Sequence, residues 1–113
     1  MSRDFVNTVC ATLPGAVVSD PWGGGHDAWK VGGKMFAVTG AVSPGVSVKT
    51  ADIETAQMLI EAGVGQKAAY LHRSWITLPW GTAEDELRQR LVESYRLIRS
   101  ALPKKFQANL ASL

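Results

Sequence analysis

Two adjacent glycines, Gly32 and Gly33, separate two short runs that are rich in β-branched and aromatic residues, 26–31 and 34–39. A glycine pair supplies the positive φ angles that a two-residue hairpin turn requires, so this pattern predicts a β-hairpin. The expected register opposes Val31 with Lys34, Lys30 with Met35 and Trp29 with Phe36. Because opposed residues share a face, one face is expected to be apolar and the other more polar. The apolar face comprises Trp29, Val31, Phe36 and Val38, and the polar face comprises His26, Ala28, Lys30, Met35, Ala37 and Thr39.

Three helices and further strands are predicted around this hairpin. Apolar residues recur at helical spacing after Ser2, Thr50 and Thr82, and each of these three residues is placed to act as an N-cap. Period-two alternation predicts a half-solvated strand at 46–49 and another strand at 74–80, and short strands are expected at 16–19 and 70–72. The order helix, three strands, helix, two strands, helix predicts an α+β domain: a two-layer sandwich, with an antiparallel sheet and the helices on one face.

Length and composition limit the function classes. The chain has 113 residues, with 12 basic and 10 acidic side chains and a net charge of +2. We expect one domain over 1–113, with 110–113 frayed. The single Cys10 cannot form an intrachain disulfide and is expected to be a buried structural thiol. No leader pattern and no apolar run of about 20 residues occur, so we expect a cytoplasmic protein with no membrane partner.

No motif predicts catalysis. The run Gly23-Gly24-Gly25-His26-Asp27-Ala28 matches G-x-G-x-x-A, but the dinucleotide motif needs a long helix after it and Gly32-Gly33 interrupts any such helix. We interpret the glycines as a flexible approach to the hairpin, with Trp22 packed at its base. His26 and Asp27 are adjacent in a strand and so should point to opposite faces. Two histidines and one cysteine give no zinc spacing and no serine lies in a triad setting, so we expect no metal, no cofactor and no enzyme.

A binding surface is the remaining interpretation. Basic residues alternate with aromatic ones in the predicted strands and loops, a composition that holds phosphates and stacks on bases. The set comprises Lys30, Lys34, Lys49, Lys67, Arg73, Trp29, Tyr70 and Trp75. Lysines on exposed strand positions also deter edge pairing in any soluble sheet, and Trp29 suits the core. The residues alone leave both interpretations open.

Several segments, in order, resemble the YjbR-like family of small bacterial proteins, also called MmcQ/YjbR. The resemblance runs from Phe5 to Leu102. Its matching segments are Leu13-Pro14-Gly15-Ala16, the hairpin from Trp29 to Ala37, Val46-Ser47-Val48-Lys49-Thr50, His72-Arg73-Ser74-Trp75-Ile76-Thr77-Leu78, and Ser94-Tyr95 in the last helix.

This resemblance implies a fold similar to that of type III secretion chaperones, with the order α-β(3)-α-β(2)-α. It also implies DNA binding through hairpins arranged as a double wing, and it supplies no catalytic motif. Lys30, Lys49 and Arg73 stand where related chains tend to be basic, so they are the candidate contacts with nucleic acid. The alternative is a protein-interaction adaptor, or a homodimeric chaperone-like module without catalytic activity.

Overall fold

The computed structural model describes the backbone from residue 2 to residue 113 and the side chains from residue 3, so the predicted cap by the Ser2 side chain lies outside the described residues. The helices are α1 (Ser2–Ala11), α2 (Ile53–Glu61), α3 (Glu84–Ser100) and α4 (Lys104–Ala108). The strands are β1 (Val17–Ser19), β2 (Asp27–Val31), β3 (Lys34–Thr39), β4 (Gly45–Lys49), β5 (Gln66–Lys67) and β6 (Trp75–Pro79). All six strands form one antiparallel sheet in the order β1-β2-β3-β4-β6-β5.

The predicted α+β class and two-layer architecture are confirmed. One face of the sheet packs against α1, α2 and α3, and apolar side chains from both layers form the core. The short strand expected at 16–19 forms as β1 and makes four strands before α2, where the expected order counts three. The segment after Pro103 forms the separate helix α4. We call the other face of the sheet the open face. Among residues 2–113, no helix is long and apolar enough to cross a bilayer.

Cys10 lies in the helix-side core, as its position on the apolar stripe of α1 predicts. Its side chain is fully buried among the core residues. Burial penalises the thiolate and raises the pKa of Cys10 to about 12. The thiol is therefore a packing group at neutral pH.

The hairpin forms where the glycine pair predicts it, with Gly32 at φ +59° and Gly33 at φ +77°. Val31 opposes Lys34 and Lys30 opposes Met35, as expected, but Trp29 opposes Ala37 and not Phe36. The cause is a β-bulge that makes Phe36 an extra residue in β3, where it is fully buried edge-on against Tyr95.

The bulge reverses the predicted faces of the residues that follow it. Ala37 and Thr39 turn toward the helices, whereas Val38 pairs beside Ser47 on the open face. Ala28 and Lys30 lie on the open face as predicted, because they precede the bulge on the other strand. One inserted residue thus shifts the alternation of β3 by one position.

Strand β4 is central in the sheet, so the expectation of a half-solvated strand is wrong. Ser47 lies on the open face as predicted, but it is only 8% exposed. Its hydroxyl lies 2.8 Å from that of Thr77 on the neighbouring β6. The two hydroxyls satisfy each other in a covered position.

Two of the predicted helix caps are wrong. Asp52, and not Thr50, caps α2 by accepting a hydrogen bond from the Thr55 N–H at 2.7 Å. The Thr50 hydroxyl instead donates to the Ser74 carbonyl oxygen at 2.6 Å. Thr82 donates to the Pro79 carbonyl oxygen, and Ala83 occupies the N-cap of α3 without a side-chain bond. The residue before β6 thus takes the hydroxyl of Thr50, and a local turn after β6 takes the hydroxyl of Thr82.

The strand expected at 70–72 is absent from the described chain and β5 at Gln66–Lys67 stands in its place. Tyr70 has φ +66°, which is incompatible with an extended strand. The segment between β5 and β6 is therefore a loop, and it folds over one end of the open face.

Candidate nucleic-acid interface

Lys30 and Lys49 lie on the open face, near the end of the sheet that carries the β2–β3 turn. They belong to β2 and β4, with β3 between them, so a spacing of about 4.8 Å per strand puts them about 10 Å apart. Both are half-exposed. The structure therefore brings these two candidate contacts to one side of the molecule.

Lys49 is held in place by the start of β6. Its Nζ donates to the Ser74 hydroxyl at 2.9 Å, and the same hydroxyl lies 2.8 Å from His72 Nδ1. Ser74 is only 2% exposed, so the Lys49–Ser74–His72 cluster presents no accessible nucleophile and serves to orient the ammonium group. Arg73, the third candidate contact, is exposed next to this cluster.

The hairpin turn packs on the junction of α3 and α4. A Cβ built on Gly32 would lie 2.7 Å from Leu102 Cδ1 and 3.2 Å from Phe106 Cε1, so the glycine turn and this junction are in close contact. Lys34 follows this turn in the chain, and Lys104 and Lys105 lie between Leu102 and Phe106, the two residues that the turn contacts. We call Lys30, Lys34, Lys104 and Lys105 the basic corner.

No ion pair among residues 2–113 neutralises a lysine of the basic corner. The sequence has no acidic residue from Ala28 to Ala51 or from Ser94 to Leu113, the segments that supply these lysines. In the described chain, residues 2–113, the ion pairs are Arg3–Asp27, His26–Asp20 and Arg90–Glu86, and none involves a lysine of the corner. A small net charge of +2 therefore coexists with a local concentration of positive charge.

The opposite end of the open face carries a groove of about 620 Å³. Its floor includes Val38, Ser47 and Thr77 from the three strands β3, β4 and β6. One loop supplies Trp22 and His26 to the walls, and the loop 40–44 closes the end. Strand β5 supplies Lys67, and the loop after it supplies Tyr70. We call this cavity the open-face groove.

Two aromatic side chains on the walls of the groove are exposed. Trp22 is 62% exposed and makes an edge contact with His26 at 5.2 Å between ring centroids, so the expectation that it packs at the base of the hairpin is wrong. Tyr70 is fully exposed. Trp29 and Trp75, which the sequence also suggested for stacking, are at least nine-tenths buried and cannot contact a ligand.

A hydrogen-bonded network fixes the two loops on one side of the groove. Arg3 Nε donates to the Asp27 carboxylate at 2.9 Å, while its other nitrogens donate to the carbonyl oxygens of Gly25 and Gly40. Asn7 donates to the same carboxylate at 3.1 Å and accepts from the Trp29 indole at 2.9 Å. Helix α1 thus anchors both loops to β2.

Asp27 is the charged centre of that network. Burial by itself would raise the pKa of its carboxyl, but the hydrogen bonds from Asn7 and Arg3, with the Arg3 charge, outweigh burial and lower the pKa. Asp27 therefore faces α1 and His26 faces the groove, as their adjacent positions in the chain predict.

The glycine tract, Gly23–Gly25, adopts one defined turn, whereas the sequence suggested only a flexible approach to the hairpin. Gly23, Gly24 and Gly25 all have positive φ angles, from +70° to +96°. The Asp20 carboxylate accepts from the N–H groups of Gly25 and His26 at 2.9 and 3.1 Å. The tract is therefore a tight turn that only glycine accommodates, and it presents Trp22 at the groove.

Other titratable groups form no reactive cluster in the described part of the chain. His72 and Arg73 lie away from the groove residue His26, so the histidines and Asp27 do not meet in one pocket. Among residues 2–113, no group of three metal-ligating side chains is brought together.

Sequence reasoning missed the lysines of α4, the open-face groove and the network of Arg3. Lys104 and Lys105 were visible as a basic pair, but only the packing of α4 against Gly32 shows where they lie. Trp22 next to three glycines signalled an unusual turn, yet its exposure depends on contacts distant in sequence. The groove requires three loops to meet, which no local pattern encodes.

Comparisons with known proteins agree with the geometry. The family model named YjbR matches residues 11–97. The crystal structure of Deinococcus radiodurans protein DR2400, which has a DUF419 domain, superposes with a TM-score of 0.83 at 24% identity, covering 95% of this chain and 86% of that one. No curated protein matches this sequence. The solved structure shows the shared fold, and the family model, which spans most of the chain, shows that this protein belongs to the YjbR family.

Proposed function

We propose that this protein binds duplex DNA in the bacterial cytoplasm, without catalysis, mainly through phosphate contacts from basic side chains. The observation that supports this most directly is the basic corner. It comprises lysines beside a hairpin turn and lysines of a short helix that this turn contacts, and no ion pair within residues 2–113 involves them. Unpaired ammonium groups on a solvated edge are the groups that neutralise phosphates and release counterions.

The open face extends this positive surface inward from the edge. Lys30 belongs to the basic corner and also lies on the open face, and Lys49 follows about two strands away with its ammonium oriented by Ser74. Arg73 adjoins Lys49. In this proposal the β2–β3 hairpin acts as a wing whose lysines contact one phosphate strand, while Lys49 and Arg73 contact phosphates further along.

A fluorescence-anisotropy titration of a labelled 20-base-pair duplex tests the proposal. We expect binding at micromolar protein, with little sequence preference and an affinity that falls steeply between about 50 and 200 mM salt. Lys49→Gln and Arg73→Gln should each weaken binding to unrelated duplexes by a similar factor. No binding at low salt, or an affinity that does not respond to salt, would show that the surface does not hold phosphates.

Self-association is a second candidate function, and the edge strand β1 favours it. Val17 and Val18 are 61% and 48% exposed on a strand whose outer edge has no neighbour in the described sheet. A free apolar edge can pair with a second copy. Light scattering of the wild type and of Val18→Lys tests this: a dimer that the lysine dissociates supports it, and a monomeric wild type excludes it.

A further inference from the structure

The open-face groove has the chemistry of a nucleotide site. Its volume of about 620 Å³ falls within the range of about 300–1,000 Å³ typical of pockets for small ligands. Trp22 and Tyr70 stand on walls supplied by different loops, and both rings are exposed. Exposed aromatic faces on two sides of a concave surface favour a flat ligand that stacks.

The charges around the groove favour an anionic ligand. Lys67 is exposed on the wall that carries Tyr70, and no Asp or Glu of the described residues lines the cavity. The Asp20 carboxylate lies 3.6 Å from His26 Nδ1 and accepts backbone N–H bonds from Gly25 and His26. Glu61 lines a smaller neighbouring cavity together with Lys67, but no ion pair within residues 2–113 involves Lys67.

The floor of the groove offers few free hydrogen-bonding groups to a ligand. The hydroxyls of Ser47 and Thr77 bond to each other, and Val38 beside them is apolar. A ligand that binds by its flat face and its phosphate, and not by its edge, fits such a floor. A base held in this way would be read with little sequence preference.

The groove is continuous with the proposed phosphate-binding surface. Lys30 and Lys49 lie on the same open face, toward the hairpin end, and the groove occupies the other end of β3 and β4. A strand of nucleic acid that follows the lysines along the face would therefore arrive at Trp22 and Tyr70. We propose that the open-face groove binds an unpaired base of single-stranded DNA, stacked on Trp22 and Tyr70, with Lys67 at its phosphate. This inference rests on the proposed DNA binding and assigns a strand form to one part of the surface.

The test compares a labelled ten-nucleotide oligo-dT with a duplex of equal charge, for the wild type, Trp22→Ala, Tyr70→Ala and Met58→Ala. Met58 is a matched control because it is 59% exposed on α2, away from the groove. Both aromatic side chains are exposed, so their removal leaves the core intact. We expect each aromatic variant to bind oligo-dT about 5-fold to 100-fold more weakly, as loss of base stacking predicts. Duplex affinity should stay within about twofold, Met58→Ala should match the wild type, and Trp22→Phe should restore most of the affinity.

Oligo-dT affinity that is unchanged in both aromatic variants overturns the inference, as does an equal loss for oligo-dT and duplex. Binding of duplex without oligo-dT overturns it while leaving the proposed function in place. Binding of oligo-dT through Trp22 and Tyr70 without duplex binding supports the groove and overturns the proposed function. Tighter binding of an oligo-U of the same length contradicts the assignment to DNA.

Discussion

Ser94 of α3 donates a hydrogen bond from its hydroxyl to the carbonyl oxygen of Phe36, the bulged residue of β3, at 2.6 Å. The same hydroxyl accepts from the Lys49 N–H at 2.9 Å. The β3–β4 ladder pairs Ala37 with Val48 and goes no further toward the turn, so the serine takes the place of the next ladder bond. One side chain thus satisfies two backbone groups and joins the helix to both central strands.

Ser94→Ala should destabilise the fold by about 1–3 kcal/mol, because it leaves a buried N–H and a buried C=O unsatisfied. Ser100→Ala is the matched control: that hydroxyl donates to the Leu97 carbonyl oxygen on the exposed side of the same helix. It should change stability by less than about 0.5 kcal/mol. Urea unfolding of both variants measures the difference, and equal stabilities would show that the bridge contributes nothing.

Gly32→Ala should destabilise more than Gly33→Ala. Both residues have positive φ, which costs an alanine roughly 1–2 kcal/mol. Only at Gly32 would the added Cβ overlap Leu102, at 2.7 Å, whereas nothing lies within 4 Å at Gly33. The ends of the Leu102 side chain would have to shift, which should add about 1 kcal/mol. Thermal unfolding of the two variants separates these effects, and similar melting temperatures would contradict the packing of the turn on α3 and α4.

Asp27→Asn should remove an acid-sensitive part of the stability. The pKa of Asp27 is lower in the folded protein, so the carboxylate stabilises the fold above its unfolded pKa of about 3.9. This stabilisation is lost as pH falls through the lower folded pKa. At pH 7 the variant should be about 1 kcal/mol less stable than the wild type, and the gap should narrow in acid. Asp4→Asn, an exposed position on α1, is the control. A pH-independent gap for Asp27→Asn would contradict the role of the charge.

Cys10 should resist thiol reagents in the native protein. Burial raises the pKa of Cys10 to about 12, so the thiolate fraction is small at pH 8. Burial also keeps the reagent from reaching the sulfur. A disulfide reagent such as DTNB should modify it only at the rate of unfolding, and rapidly in guanidinium. Fast modification of the native protein would show that the apolar side of α1, which carries Cys10, is accessible to solvent.

The local parts of this fold were readable from the sequence, because local chemistry decides them. Gly32 and Gly33 dictate a tight turn, and the apolar stripe of α3 dictates a helix. The bulge at Phe36 was not readable, because the side chain that bonds its carbonyl oxygen, Ser94, lies far along the chain. Thr50 and Thr82 look like caps, yet the Thr50 hydroxyl bonds to Ser74, which only the folded sheet brings near, and the Thr82 hydroxyl bonds to Pro79 in a local turn.

The candidate site follows the same division. Lys30 and Lys49 could be assigned to the open face from alternation alone, since both lie outside the shifted part of β3. Lys104 could not be assigned to that region, because its neighbour in space is a turn some seventy residues earlier. Tyr70 was identified as an aromatic candidate, but only the loop after β5 reveals that it stands beside a groove opposite Trp22.

The salt dependence of duplex binding tests the central claim most directly. The logarithm of the association constant is measured against the logarithm of salt concentration for the wild type, Lys34→Gln and Arg88→Gln. Arg88 is an exposed cation of α3 stacked over Phe5, away from the basic corner. If Lys34 contacts a phosphate, the slope for Lys34→Gln is smaller in magnitude by about 0.9 than the slope for the wild type. Arg88→Gln leaves the slope unchanged. Equal slopes for all three proteins, or no duplex binding by the wild type, would contradict the account.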